Sequence, residues 1–482
     1  MTHPVSGQSE TRSQLRMITG STPKLELNAR DRKEIVRKIR TLENYLGSLR
    51  RVKYGTANYI VGGGHRPTPA TDSEEFNKRV AEDWKTWAEN ASLCDRAGKN
   101  TVYDMQHMMA SSLMGDGEGF ILPQKTPNGF PQLLVVDPML VGSPMSGTDT
   151  GVVDGVRIDK AGKVMGYHIL SEDSGGSAFY SRKTQYFRRN QVFHYCNFER
   201  AHQVRGRSPL HAAANHFHDI IDLIALEIQA TKTHQAMAIH VKKTKDSSIS
   251  LESEFDDVEE AMTTAEGGSY EKEKGISAIR GATVVEDPEV DEVNLLTSNR
   301  PNVSITPFIE MILRMCAEAS NFPYEFLYNM SNIGGAPARY VLADAYNTIL
   351  QNQRRMERQI NFPIYRWWLA SRIKMGAYDN IEIPEKWWKV TWTFPAKVTM
   401  DIKHDGKQML EVLERGQATE QELFEAQGKS RTDHVDRRIA ELKEVIVKCK
   451  DAGVPHQYYY QQFKQEMVTA MAADKNDNSE DS

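Results

Sequence analysis

FHYCNFERAHQVRGRSPL, residues 193–210, lies where the strand-like part of the chain gives way to its helical part. Ser208 suits a helix N-cap and Pro209 the first helical turn, and apolar residues then recur at helical spacing to about residue 237. Upstream, residues 117–195 hold short β-rich runs separated by Gly, Asp, Asn and Ser. The stretch therefore predicts an α+β, predominantly helical fold in which an antiparallel meander precedes a long helix.

Five further segments lie upstream of the strand-like region. Residues 1–30 are polar and are expected to be disordered. Residues 29–51 carry apolar side chains at helical spacing among basic ones, which predicts an amphipathic helix. The Gly- and Pro-rich stretch 59–72 predicts a loop, and helices are predicted around Trp84 and from about 99 to 114.

Downstream of the first long helix, the chain predicts a small insertion. Strand-like residues 238–243 and 276–287 flank an acidic segment, 251–266, that has a helical pattern. A second long helix is predicted over 304–320. The sequence thus predicts a strand–helix–strand unit between two long helices.

The C-terminal half adds a third long helix, predicted over 338–374. A bend is expected at Pro363, because its ring disrupts the helical hydrogen-bond ladder. A strand over 387–394 follows, residues 401–473 read as mostly helical, and the acidic tail 474–482 is expected to be disordered.

The composition is that of a globular protein: 39% of the 482 residues are hydrophobic and 26% are charged. No apolar run reaches membrane-spanning length, and the polar N-terminus lacks the apolar region of a secretory signal. The four cysteines lie far apart without CxxC spacing, so reduced thiols are expected. A net charge of −5 argues against a protein that grips DNA through a large basic surface.

The sequence offers no catalytic constellation. QGKS (427–430) lacks the glycine that a phosphate-binding loop needs five residues earlier, where Leu423 stands, and it follows a helix. DGEG (116–119) lacks the further oxygen ligands of a calcium loop and is interpreted as a turn into a strand. Ser111 and Ser112 have no nucleophile-elbow context. The sequence therefore predicts no enzyme activity, no catalytic residues and no cofactor.

A group of histidines and aspartates on the first long helix is the one candidate for a metal. His218 and Asp222 are four residues apart and share a helix face, as two ligands would. A metal needs three or four converging ligands, and no partner cluster is recognisable elsewhere in the sequence. A solvated or intersubunit polar face is the preferred interpretation, and no metal is predicted.

The segment NFPYEFLYNMSNIGGAPARYVLADA, residues 321–345, separates the second and third long helices. Up to Ala338 it holds Glu325 and no Lys or Arg, while Gly334 and Gly335 supply backbone freedom. Two interpretations stay open. One is a plain helix–helix connection that needs glycine to turn, and the other is a loop that touches a polyanion without binding it tightly.

Six stretches, taken in order, carry a resemblance to a known family: DWKTWAEN (83–90) with Asp95 and Gly98, LMGDGEGF (113–120), VVDPMLV (135–141), the stretch 193–210, MCAEASNFPYEFLYNMSN (315–332) and GQATEQELFEAQGKSRTDHVDRRIAELKEVIVKCKDAG (416–453). With them the sequence resembles the lambda-like family of tailed-phage portal proteins over roughly residues 30–460. The most specific of the six is the run Gln203-x-Arg205-Gly206 leading through Ser208 into the long helix.

Two departures from that family are visible. Its Tyr-Ser-Ser-Ala-Arg run is replaced here by residues 335–339, of which Ala338 and Arg339 match. Its Asp-Pro before the C-terminal helices is replaced by Met400-Asp401-Ile402.

The resemblance implies a portal fold that assembles into a dodecameric ring with a central channel. The implied parts are a wing (31–208 and 339–400), stem helices (209–237 and 301–321), a clip (238–300), a tunnel loop (322–338) and a crown (401–473), with the disordered segments 1–30 and 474–482 at the ends. The implied tunnel-loop residues are Asn329, Ser331, Asn332, Ile333, Gly334 and Gly335, and the implied structural motif residues are Gln203, Arg205, Gly206 and Arg339.

The function implied by the resemblance is a ring channel at one capsid vertex through which double-stranded DNA is packaged and later ejected. Implied partners are the large terminase subunit, head-completion (connector) proteins, and the major capsid or scaffolding protein, with no membrane. The implied location is the virion, after synthesis in the host cytoplasm. Two alternatives stay open: another phage head structural or adaptor protein, and a packaging enzyme, for which neither a Walker A site nor an acidic metal cluster is found.

Overall fold

The computed structural model describes residues 28–143, 151–170, 184–236, 239–242, 276–279, 282–287, 293–294, 305–331, 334–398, 402–429 and 431–453. The chain divides into two compact units. One includes Glu34–Arg50 and Pro209–Tyr324, and the other includes Arg51–Ser208 and the chain from Glu325 onward. The predicted disordered tail 474–482 and residues 1–27 lie outside the described residues.

Helices α1 (Ala29–Tyr45) and α2 (Gly47–Val61) open the described chain. The single helix predicted over 29–51 is therefore two helices, which separate beside Gly47, a residue of low helix propensity. Because α1 begins at Ala29, the expected disorder up to residue 30 is wrong at its last two positions.

The loop predicted over 59–72 is shorter than expected. Helix α2 continues to Val61, and strand β1 (Arg66–Pro69) pairs antiparallel with a C-terminal strand, Val390–Thr393. β1 has a single neighbour in its sheet, and an edge strand tolerates proline because its free side needs no N–H donor.

Three helices precede the main sheet: α3 (Glu74–Ala88), α4 (Ala91–Cys94) and α5 (Val102–Gly115). Each begins with a side-chain cap, and at α5 Thr101 and Asp104 form a capping box. The helices predicted around Trp84 and over 99–114 are confirmed. Trp84 packs edge-on against Trp368 with ring centroids 5.0 Å apart, so α3 is fixed by aromatic packing.

Two antiparallel sheets form the strand-rich region. Strand β2 (Glu118–Lys125) lies between β3 (Pro131–Val136) and β8 (Phe193–Cys196), while β4 (Val152–Val153), β5 (Val156–Ile158), β6 (Val164–Leu170) and β7 (Thr184–Arg188) form a meander. Buried residues of both sheets, among them Phe120, Val156 and Tyr167, share one core. The predicted meander is confirmed. No apolar alternation predicts β7, because its side chains are mostly exposed.

The first long helix begins later than the sequence predicts. A 3₁₀ turn, Pro209–His211, comes first, and α6 spans Ala214–Ala236. The α-helix therefore does not start at Ser208-Pro209, and the hydroxyl of Ser208 donates to the carbonyl oxygen of Met114 at 2.6 Å. Pro209 accordingly opens the 3₁₀ turn rather than the α-helix.

The insertion after α6 contains a four-stranded sheet in the order β10-β11-β9-β12, made of β9 (Ile239–Lys242), β10 (Ile276–Ile279), β11 (Ala282–Asp287) and β12 (Val293–Asn294). The strand predicted over 276–287 is two strands, β10 and β11, which pair antiparallel. The acidic helix predicted over 251–266 lies outside the described residues. The second long helix, α7 (Ile305–Glu318), is confirmed.

After α7 the chain forms the short helix α8 (Tyr324–Leu327) and then α9 (Ala336–Met356). The segment 322–338 thus includes the short helix α8 and the first turn of α9 as well as irregular chain. A π-helical turn, Glu357–Asn361, joins α9 to α10 (Phe362–Lys374). In place of the bend expected at Pro363, the structure has this wider π-helical turn just before it. Proline has no N–H to donate to the hydrogen-bond ladder of an α-helix, so the regular α-helical pattern is interrupted here.

The C-terminal part holds β13 (Val390–Thr393), α11 (Ile402–Glu414), α12 (Glu420–Ala426) and α13 (Arg431–Asp451). The strand predicted over 387–394 is narrower, because Trp387 and Trp388 belong to a turn. The mostly helical character of 401–473 is confirmed as far as residue 453. No helix in the described ranges is long and apolar enough to cross a membrane.

Candidate DNA-channel loop and the buried motif Gln203–Gly206

The carboxylate of Glu118, the first residue of β2, is fully buried and accepts hydrogen bonds from three other residues. Arg205 binds it in a bidentate manner, with Nε 2.9 Å from Oε1 and 3.0 Å from Oε2, and Nη2 2.6 Å from Oε1. The backbone N–H of Gly206 donates to Oε2 at 2.9 Å, and the ring of His194 lies 3.1 Å from the same oxygen through Nε2. Hydrogen-bond donors therefore occupy both oxygens of the Glu118 carboxylate.

The guanidinium of Arg205 uses its remaining N–H groups on backbone carbonyls. Nη2 donates to Pro138 at 3.1 Å, and Nη1 donates to Val141 at 3.1 Å and also to Asp154. Arg32 brings a second buried guanidinium, which pairs with the Asp154 carboxylate and lies 3.5 Å from Glu118. Two cations thus face two carboxylates, and we call Arg32, Glu118, Asp154, His194 and Arg205 the buried ionic cluster.

A tight turn brings Asp154 into the cluster. Asp154 and Gly155 connect β4 to β5 with φ values of 45° and 82°, the left-handed pair that a two-residue hairpin turn requires. A side chain at Gly155 would collide with the backbone of Gly142, since its Cβ would lie 2.6 Å from that nitrogen. The turn therefore needs two residues that adopt a positive φ, and at Gly155 it also needs a residue without a side chain.

Gln203 and Gly206 shape the segment that carries Arg205. The side-chain oxygen of Gln203 accepts from the N–H groups of Glu199 and Arg200, and its amide donates to the carbonyl of Arg205 at 2.9 Å. A Cβ at Gly206 would lie 2.1 Å from the carbonyl oxygen of Gly117, so only glycine fits. Of the four residues assigned to the structural motif, the structure brings Gln203, Arg205 and Gly206 together.

The charges of the cluster shift its ionisation. Burial alone would raise the pKa of the Glu118 carboxyl, but Arg205, the hydrogen bond from His194 and Arg32 together hold that pKa well below its usual range. Burial lowers the pKa of His194 despite its bond to Glu118, so the ring is neutral at pH 7 and donates through Nε2. At neutral pH the cluster is therefore an ion-pair network with one neutral imidazole.

Two groups of potential metal ligands occur in the described ranges, and neither has the features of a metal site. Glu118, His194 and Cys196 place one ligand atom each within 4.8 Å of one another. The carboxylate is already saturated, two guanidinium groups oppose a further cation, and burial raises the pKa of the Cys196 thiol well above its usual value. His218, Asp219 and Asp222 form the other group; His218 Nδ1 lies 3.1 Å from Asp222 in an exposed pair.

The proposed tunnel loop is anchored on its N-terminal side. The guanidinium Nε of Arg51 on α2 donates to the carbonyl of Leu327 at 3.0 Å, and Phe326 packs against Tyr59 with ring centroids 4.5 Å apart. On the C-terminal side, the amide of Gln353 on α9 donates to the carbonyl of Ile60 at 3.1 Å. Contacts with α2 thus hold the N-terminal part of the loop directly, and they hold α9 at a point well beyond the end of the loop.

The middle of the loop is exposed. Ser331, Gly334 and Gly335 are exposed, and the side chain of Asn329 accepts from the hydroxyl of Ser331 at 2.5 Å. Gly335 has a φ of 67°, and nothing lies within 4 Å of a Cβ placed there. Asn332 and Ile333 lie outside the described residues. Arg339 is exposed on the first turn of α9 and does not join the buried ionic cluster.

Sequence reasoning missed two side-chain amides of the π-helical turn. Gln359 donates to and accepts from the backbone of Cys196, at 3.0 and 2.9 Å. Asn361 and Gln106 hydrogen-bond each other and the buried His65, whose other ring nitrogen lies 2.9 Å from the carbonyl of Ile60. The nearest signal in the sequence was Pro363. It indicates a disturbed helix, but it does not predict where the side chains of Gln359 and Asn361 point.

Residues 11–353 match a family model described as phage portal protein, lambda family. No curated protein matches the chain. Similar solved structures include a chain from the virion of a native gene transfer agent particle, with 13% identity over 82% of this chain and 93% of that chain and a TM-score of 0.48.

Two other solved structures are similar to the chain. One is from the neck of a native gene transfer agent particle computed with C12 symmetry, with 12% identity, coverage of 83% and 94%, and a TM-score of 0.48. The other is an HK97 family phage portal protein from Corynebacterium diphtheriae, with 12% identity, coverage of 66% and 88%, and a TM-score of 0.33.

Proposed function

Because the chain belongs to the lambda family of phage portal proteins, we propose that twelve copies form a ring with a central channel at one vertex of the capsid. Double-stranded DNA enters through this channel during packaging and leaves through it at ejection. The observation that carries the proposal is the family match over residues 11–353. The protein acts as a structural component of the virion and not as an enzyme, and the large terminase subunit supplies ATP hydrolysis.

The parts of the ring follow from the order of elements. Residues 31–208 and 339–400 form the wing, and 209–237 and 301–321 provide the stem. The clip, 238–300, is supported by the four-stranded sheet β9 to β12, which is small for an independent core and so suits assembly with neighbouring copies. Residues 401–473 form the crown.

The tunnel loop, 322–338, touches DNA. Each phosphate that a cation neutralises releases counterions and adds affinity, so a basic lining would retain DNA in the channel. The loop has no Lys or Arg, and its exposed Ser331 and Gly334 follow a part of the loop that is held on α2. Asn329, Ser331 and Asn332 offer weak, replaceable hydrogen bonds to phosphates. Gly334 and Gly335 allow each copy to adapt to an asymmetric double helix.

The partners follow from the position of each part. The clip lies outside the capsid and binds the large terminase subunit during packaging and head-completion proteins afterwards. The wing and crown face the capsid, where the major capsid or scaffolding protein contacts the ring. None of these contacts needs a cofactor or a membrane.

Negative-stain electron microscopy of the purified full chain tests the proposal. We expect rings with a central hole and twelve-fold class averages. Monomers or dimers that hydrolyse ATP would instead identify a packaging enzyme. Small oligomers with neither a hole nor ATPase activity would identify another head structural or adaptor protein.

A further inference from the structure

The meander strands β5, β6 and β7 have one face in the core and another turned away from it. Cross-strand partners point to the same side of a sheet, and Val156 on β5 pairs with Tyr167 on β6, both of which are buried. Residues one position away along each strand lie on the opposite face. This opposite face, which we call the outer meander face, carries Arg157, Gly166, His168, Tyr186 and Arg188.

A glycine in the middle of β6 leaves room for a tyrosine ring. A Cβ at Gly166 would lie 2.5 Å from the hydroxyl oxygen of Tyr186 and 2.6 Å from its Cζ, so the phenol end of that ring occupies the place of a side chain. Glycine weakens the interior of a strand and often marks a close approach by another group. Here the group is Tyr186, which reaches across β6 from β7 and is 39% exposed.

Cations stand on both sides of this glycine. Gly166 pairs with Arg157 on β5 and with Arg188 on β7, so the two arginines lie in one row with their backbones about 10 Å apart. Both are exposed. The guanidinium carbon of Arg157 lies 5.9 Å from the ring centroid of Tyr186, and the His168 ring lies 5.1 Å from it. The described strands β4 to β7 place no Asp or Glu on this face.

The charge and the ring together select the class of ligand. Two exposed guanidinium groups without a carboxylate on the same face attract a polyanion, although the whole chain has a net charge of −5. An exposed aromatic ring adds stacking, which the bases of a nucleic acid offer and the carboxylates of an acidic peptide do not. The bases of a duplex are already stacked on one another, so a ring on a sheet reaches the face of a base in an unpaired strand.

We propose that the outer meander face binds an unpaired strand of nucleic acid, with a base stacked on Tyr186 and phosphates on Arg157 and Arg188. Arginine suits the phosphates, because its planar fork binds two oxygens at once. Gly166 is a positioning residue, since a side chain there would displace the ring. This contact is separate from the passage of a duplex through the channel, and it does not depend on the formation of a ring.

Fluorescence anisotropy of the full chain with labelled oligonucleotides tests the proposal. The probes are oligo(dT) and oligo(U) of twelve nucleotides and a duplex of twelve base pairs, and both single strands should bind more tightly than the duplex. The tighter of the two single strands tells whether the natural ligand is DNA or RNA. Tyr186→Leu keeps an apolar side chain without the ring and should weaken binding of the single strands by about tenfold, whereas Tyr186→Phe should bind them as the wild type does.

Salt dependence tests the two arginines. Arg157→Gln and Arg188→Gln should each lower the slope of log affinity against log salt by about 0.7, because each removes one phosphate contact to a single strand. Arg79→Gln is the matched control at an exposed position of α3, and it should leave the slope unchanged. Circular dichroism with thermal unfolding checks that every variant is folded.

Three results would overturn the proposal. One is a wild-type protein that binds neither single strand. Another is a Tyr186→Leu protein that binds them as the wild type does, since the contact would then be purely electrostatic. The third is displacement of the single strands by poly-glutamate with equal efficiency in wild type and Tyr186→Leu, which would identify a docking surface for an acidic protein segment. Strand binding without rings in the electron microscope would contradict the proposed function alone.

Discussion

The guanidinium of Arg205 and the carboxylate of Glu118 form a buried, bidentate ion pair across a sequence separation of 87 residues. Glu118 begins β2, and Arg205 lies in the segment that leads to the 3₁₀ turn at Pro209–His211. The side chain of Ser208 adds a bond from this segment to Met114 on α5, and the N–H of Gly206 adds one to Glu118. The ion pair therefore fixes the path of the chain just before the long helix.

Replacing Glu118 by glutamine should destabilise the protein strongly. The change leaves Arg205 and Arg32 buried with a single carboxylate, that of Asp154, and removing one partner of a buried pair typically costs about 3–5 kcal/mol. Urea unfolding of Glu118→Gln should show this loss. The control is Glu420→Gln, which removes an exposed ion pair with Arg431 and should cost no more than about 1 kcal/mol. Equal stabilities of the two variants would contradict the central role of Glu118.

Adding a single methyl group at Gly206 should also destabilise the protein. In Gly206→Ala the new Cβ would lie 2.1 Å from the carbonyl oxygen of Gly117, so the backbone must move and the Gly206 N–H bond to Glu118 weakens. Overpacking of this kind costs about 1–3 kcal/mol in the free energy of unfolding. Gly63→Ala is the matched control, because nothing lies within 4 Å of its Cβ. A Gly206→Ala protein as stable as that control would refute the close packing.

Sequence patterns predicted the local elements of this region better than its contacts. The β-rich runs around Phe120 and Tyr167 were recognisable because apolar and β-branched residues recur there with a short period. The ion-pair partner of Glu118 was not recognisable from the sequence. A period-two pattern of apolar residues does not indicate which of several distant arginines reaches a buried carboxylate. The resemblance named Gln203, Arg205 and Gly206 as a motif, and the structure supplies the physical reason for each.

The helix starts and the π-helical turn show the same limit. Ser208-Pro209 has the composition of a helix start, but a 3₁₀ turn forms there and the α-helix begins at Ala214, while the Ser208 hydroxyl donates to the distant carbonyl of Met114. Pro363 marked a disturbed helix, yet the direction of Gln359 and Asn361 depends on how the wider turn packs against Cys196 and His65. Local propensity fixes neither outcome, because each depends on residues far away in sequence.

His65 should make stability depend on pH. Burial lowers the pKa of its ring to about 4, whereas the unfolded chain titrates near the ordinary value of about 6.5. Below about pH 6.5 the unfolded state therefore takes up a proton that the folded state does not, and stability falls as pH falls. From pH 7 to pH 5 His65 should lower the free energy of unfolding by about 2 kcal/mol.

Urea unfolding at the two pH values measures this loss, and His65→Gln should reduce it, since glutamine does not titrate. The exposed Ser331 provides a control substitution, because Ser331→Gln removes no titratable group and should leave the pH dependence unchanged. A pH dependence that is the same in wild type and His65→Gln would exclude His65 as its source.

A charge added to the tunnel loop should make the channel retain DNA. Ser331 is exposed and lies in a segment without Lys or Arg, so Ser331→Lys places a cation where phosphates pass. Each phosphate contact steepens the dependence of log affinity on log salt by about 0.9. DNA binding by assembled rings should therefore become tighter and more sensitive to salt, while Ser331→Gln should bind as wild type does. An unchanged salt dependence in Ser331→Lys would show that the loop does not meet DNA.

Deleting residues 330–337 separates a role in DNA handling from a role in architecture. The anchors on α2, Arg51 to Leu327 and Gln353 to Ile60, lie outside the deleted stretch, so ring assembly should survive. Packaging assays with purified terminase and heads should show impaired translocation or retention of DNA. A variant in which the same eight positions carry a Gly-Ser sequence restores the length, and partial recovery there would assign the remaining defect to side chains such as Ser331. If the deletion instead abolishes rings in the electron microscope, the loop is a structural connection and the channel assignment is wrong.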